Sequence, residues 1–123
     1  MGRQEGLMNK STITIDVMTD ENQVPDSITW IATNTSAENA KKAKAMMLSF
    51  WDGAEKTALR IDLWAKDMMV DEMADFFYQT LMTMADTYGR ATSYKDQVEE
   101  MKKFAKHFYS TFQARQLQEN KAD

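Results

Sequence analysis

The chain has 123 residues, room for one small domain, with 43% hydrophobic residues for a core and 28% charged ones. Its net charge of −4 offers no basic surface for a phosphate backbone, so no nucleic acid is expected as a partner. The absence of cysteine excludes disulfide scaffolds, thiolate zinc sites and cysteine nucleophiles, and no stretch reaches the about 18 consecutive apolar residues of a membrane span.

Residues 1–10 carry no apolar run of the kind a secretory signal requires and read as a flexible leader, before a single domain over 11–118 and a flexible tail over 119–123. From Thr12 to Met18, Ile13, Ile15 and Val17 alternate with polar residues, the period-2 pattern of a half-buried strand. TDENQVPD then marks a turn, and Ser27 to Thr33 (SITWIAT) reads as a second strand rich in β-branched and aromatic residues. Residues 34–43 are polar and read as a loop. Lys44 to Trp51 is apolar enough for a third strand, and the Asp52-Gly53 turn signal leads to a fourth over Ala58 to Trp64, so these two form an antiparallel hairpin.

After Trp64 the period changes. Asp67 is the expected N-cap of a helix, with Asp71 and Glu72 in its first turns and an apolar stripe through Val70, Met73, Phe77, Leu81, Met84 and Tyr88. Gly89 stands where a helix stop belongs. Ser93 with Asp96 resembles a capping box for a second helix, whose stripe runs Tyr94, Val98, Met101, Phe104 or Ala105, Phe108 and Phe112 before a polar tail, QLQENKAD. The order is β-β-β-β-α-α, which predicts an α+β fold: a four-stranded antiparallel sheet with two C-terminal helices packed on one face.

No catalytic apparatus assembles from these residues. His107, the single histidine, has Lys103, Phe104, Ser110 and Thr111 at the helical spacings where a carboxylate or a second ligand would stand, so it reads as a surface residue. Of the adjacent acidic pairs, Asp20-Glu21 falls in the turn, while Asp71-Glu72 and Glu99-Glu100 point apart on their helices; Asp71 with Asp75 shares a face but is explained by the helix N-terminus. With no phosphate-binding glycine loop and no nucleophile beside a base, no enzyme, cofactor or metal is expected.

The eleven methionines read first as flexible core filling, and second as a pliable contact surface. Met68 and Met69 sit where strand passes into helix. Trp64 shares its strand face with Arg60 and Asp62, opposite Leu59, Ile61 and Leu63, and Trp51 ends the neighbouring strand. These tryptophans either cover the far face of a thin sheet or anchor another protein.

The runs DENQVPDSITWIAT (20–33), WDG (51–53) and above all LRIDLWAKDMMVDEMADFFYQTL (59–81) resemble the GldC family of gliding-motility-associated proteins from Bacteroidetes, over roughly residues 11–112. The resemblance implies a small cytoplasmic protein without known catalytic residues that accompanies a gliding and protein-secretion apparatus. The element order also looks like that of the export chaperone SecB, a likeness of fold alone. The expectation is therefore a non-enzymatic cytoplasmic accessory protein acting through protein contacts in gliding motility or secretion. Trp30, Trp51, Trp64, Met68 and Met69 are the candidate contacts, and a homodimer is favoured over a monomer. The alternative is a SecB-like holdase binding extended apolar segments.

Overall fold

The computed structural model describes residues 8–33 and 39–122. In chain order these form β1 (Ile13–Thr19), β2 (Pro25–Ala32), β3 (Lys41–Ala43), β4 (Ala45–Asp52), β5 (Thr57–Trp64), α1 (Val70–Thr92) and α2 (Lys95–Ala122). The fold is α+β, and the chain divides into two compact units, one ending at Met68 and one beginning at Met69.

The strands do not make a single four-stranded sheet. They make two antiparallel sheets, β1-β2-β3 and β4-β5. The reason is local to Lys44, where a bend interrupts one extended run. On the β3 side Ala43 lies opposite Ile28, whereas on the β4 side Met46 lies opposite Leu63. These two apolar positions are three apart in sequence, an odd offset, so the alternation of faces slips by one at the bend. The segment 34–43, read as a loop, thus contains β3, while 34–38 lie outside the described residues, as do residues 1–7 of the expected leader.

In the first sheet Ile15 faces Trp30 and Val17 faces Ile28, which in turn faces Ala43. Among the described residues Ile28 is the one large side chain almost fully enclosed, 1% exposed, with Ala32 and Ala65 also buried in this unit. β2 starts at Pro25 rather than Ser27. Proline is acceptable there because the first residue of a strand can dispense with an N–H donor, while its carbonyl accepts from Lys66 N–H at 3.1 Å.

The β1–β2 turn is organised by Asp20. One carboxylate oxygen accepts from the backbone N–H groups of Asn22 (2.8 Å) and Val24 (3.0 Å), and the other from Lys66 Nζ (3.1 Å). Those bonds to the charged form, the Val24 N–H first, then Lys66, hold its carboxyl below the usual carboxylate range. Asp52 repeats the device in the β4–β5 loop, accepting from Ala54 and Glu55 N–H. The left-handed residue of that loop is Lys56 (φ 57°), not Gly53.

α1 and α2 form an antiparallel pair. The N-cap of α1 is Met69, not Asp67: Met69 N–H donates to Glu72 Oε1 at 3.0 Å, and Met69 O receives the first helical bond, from Met73. α1 also runs through Gly89 to Thr92, and it ends at Ser93, which is its left-handed C-cap (φ 66°) and not the start of a capping box. Gly89 serves the packing instead. A Cβ there would lie 3.0 Å from Val98 Cγ2, so glycine is what allows the two helices to approach. Below that contact lie Tyr88 with Gln97, Asp86 with Lys102 (2.7 Å), the buried Ala85 and Ala105, Tyr78 against Tyr109 (5.0 Å between rings) and Phe77 against Phe108. The Asp75 carboxylate, acting on the Tyr109 phenol, pushes it above its usual pKa. The QLQENK segment, read as a tail, continues α2 as helix.

Candidate functional site: exposed apolar surfaces

The β4–β5 hairpin carries two unlike faces, set by its register. Met46 pairs with Leu63, Leu48 with Ile61 and Phe50 with Leu59, making one face entirely apolar. The other face holds Ala45 beside Trp64, Met47 beside Asp62, Ser49 beside Arg60 and Trp51 beside Ala58. The parity expected for Trp64, shared with Arg60 and Asp62, is the one observed. What the sequence pattern did not give is the exposure of the apolar face: Phe50, Leu59 and Ile61 are each more than half exposed. Contiguous apolar surface of this kind marks interaction sites in soluble proteins.

The candidate contact residues fall in different places. Trp30 lies on the apolar face of the three-stranded sheet, opposite Ile15, and is half-buried. Trp51 (68% exposed) and Trp64 (57% exposed) share a hairpin face but sit at its two ends, about 20 Å apart at the usual rise per residue. Met68 is half-buried just after β5, and Met69 is exposed at the start of α1. Within one chain the register therefore separates the tryptophans rather than collecting them.

The helical unit has an apolar surface of its own. Leu81 and Tyr88 of α1 and Gln97, Glu100, Met101 and Phe104 of α2 line an open groove of about 410 Å³, with Phe77 and Met84 exposed nearby. The stripe that names these residues is plain in the sequence, but half of it faces outward. His107 lies exposed on α2. Asp71 and Asp75 do not form a pair with a third ligand, and among the described residues no three His, Cys, Asp or Glu side chains gather as a metal site. No described helix is long and apolar enough to cross a membrane.

Comparison with known families gives a match over most of the chain. The family model described as gliding motility-associated protein GldC-like covers residues 25–114, from the first residue of β2 to within α2. No curated protein and no solved structure matches the chain. The matched span holds both hairpin faces, the helical groove and all five candidate contacts, and the chain belongs to the GldC-like family.

Proposed function

We propose that this chain is a non-enzymatic, cytoplasmic accessory protein of gliding motility or of the secretion machinery associated with it, working through contacts with other proteins. Family membership carries the reading. The exposed apolar rows of the hairpin, with Trp51 and Trp64 on its other face, support it, because large aromatic side chains concentrate binding energy at protein interfaces. Its partners are protein components of the gliding or secretion apparatus, and the working form is a homodimer.

The test is affinity purification of the tagged chain from its native cell. A discrete set of gliding or secretion components is expected, and Trp64→Ala in a folded chain reduces their recovery. Undiminished recovery overturns the contact assignment, and loss of the gene without effect on gliding or secretion overturns the reading as a whole. The groove between α1 and α2 favours one further reading, a holdase for extended apolar segments. A stoichiometric amount of chain that fails to slow aggregation of several unfolded clients removes it.

A further inference from the structure

We infer that β5 pairs with the β5 of a second copy of this chain, antiparallel and centred on Ile61, joining two hairpins into one continuous four-stranded sheet. This deepens the proposed contact role but stands on the geometry of the hairpin alone.

The first observation is a free edge. Among the described residues β5 has one strand neighbour, β4. Ala65 N–H donates to Lys44 O at 2.7 Å, which sets the phase of the ladder: the odd-numbered residues of β5 bond to β4, and Ala58, Arg60, Asp62 and Trp64 direct their backbone groups outward. An unpaired row of this kind is a template for another strand.

The second observation is that the edge is complementary to itself. In ALRIDLW (58–64), antiparallel pairing about Ile61 sets Arg60 opposite Asp62 of the second copy, Leu59 opposite Leu63 and Ala58 opposite Trp64. The register agrees with the hydrogen-bond phase, because the outward-facing residues are then the ones that meet as hydrogen-bonded pairs and Ile61 meets its own mate in a non-hydrogen-bonded pair. Cross-strand opposite charges on one face and apolar pairs on the other are both stabilising. In the single chain Arg60 and Asp62 bond each other along the strand, at 2.9 and 3.2 Å, with both side chains nearly half exposed. A strand edge defended against pairing is better served by like charges, which would repel in trans. Opposite charges two residues apart around an apolar centre are what self-pairing needs.

The third observation concerns the surfaces that pairing would build. The apolar face becomes three rows of four: Phe50, Leu59, Leu63 and Met46; then Leu48 and Ile61 with their mates; then the first row reversed. On the other face, Trp51 of one copy and Trp64 of the next flank the small Ala58, so residues held apart within a chain become neighbours between chains. An eight-residue edge is small beside the about 800 Å² per partner of a standard interface, so the expected dimer is reversible, with a Kd on the order of micromolar.

Sedimentation of the full chain over a wide concentration range tests this. The wild-type chain is expected to shift from its 14.2 kDa monomer to twice that mass. Arg60→Asp alone and Asp62→Arg alone should each weaken association at least tenfold, since each sets like charges in opposition. An equimolar mixture of the two variants should regain the dimer, because each then meets its opposite in trans, a result that a pair internal to one chain cannot produce. Ile61→Cys, in a protein otherwise free of cysteine, should oxidise to a disulfide-linked dimer through its own mate, and it decides the matter if the charge variants fail to fold. A wild-type monomer at every concentration, single variants that associate as well as wild type, or no cross-link at position 61 overturns the pairing. None of these outcomes changes which proteins are recovered from the native cell, so failure here is distinct from failure of the gliding assignment.

Discussion

Ile28→Ala and Ile13→Ala make the same chemical change on the same face of the three-stranded sheet, and the structure ranks them far apart. Ile28 is 1% exposed, between Val17 on one side and Ala43 on the other, while Ile13 is 69% exposed near the end of β1. Truncating a buried isoleucine removes its transfer free energy and leaves a cavity, together about 2–5 kcal/mol. Val17 is stiff at its branched Cβ and Ala43 is too small to fill the space, but β1 is an edge strand and can move inward, so about 3 kcal/mol is expected for Ile28. Ile13 has little buried area to lose and should cost below about 1 kcal/mol. Urea unfolding followed by tryptophan fluorescence and circular dichroism measures both, and Trp30 reports from the same sheet. Equal losses for the two variants, or a loss below about 1 kcal/mol at Ile28, would refute the placement of the core on this face.

Four further outcomes follow from local geometry. The bonds at Asp20 hold its folded pKa below the ordinary value, so its stabilisation is full above that value and disappears as pH falls through the folded pKa; thermal melting should show Asp20→Asn less stable than wild type at neutral pH and equal to it at strongly acidic pH. Lys66, raised by the same partner, acts in the opposite direction, its contribution being full below its ordinary pKa and lost as pH rises through the folded one, so melting temperature should fall at the alkaline end as well. Gly89→Val should cost about 1–3 kcal/mol by forcing α1 away from Val98, and Val98→Ala in the same chain should recover part of it, a non-additivity that denaturant unfolding detects. Lys56→Gly should raise stability by about 0.5–1 kcal/mol, because glycine takes the left-handed conformation of that loop position without steric cost while losing more freedom on folding.

The sequence announced most of the strands and both helices because each carries a strong period over many residues, and the parity of Trp64 came with them. β3 was hidden: KKA has too few residues for any period, and its pairing depends on Ala43 meeting Ile28, a contact made by the fold. Gly89 reads as a stop by composition, yet a neighbour 3.0 Å from its missing Cβ explains it better. Asp67 offers a capping side chain, but Glu72 reaches back to Met69 and fixes the start of α1 two residues later. QLQENK lacks an apolar stripe and still extends α2, since glutamine, leucine, glutamate and lysine are all good helix formers. The exposed hairpin face escaped for a different reason. Alternation says which residues share a face, and nothing in a single strand says whether that face is covered.

The slip at Lys44 amounts to one residue more than a regular strand would use. Without it, the residues 41–52 would read KKAAMMLSFWD, with Ala43, Met46, Leu48 and Phe50 falling at every second position. The inside-outside pattern would then be unbroken from β3 to β4, and the four-strand sheet that the hydrophobic pattern suggests would have a continuous middle strand. A single surplus residue is thus what gives the hairpin its own direction, and its removal would be expected to fuse two ladders into one.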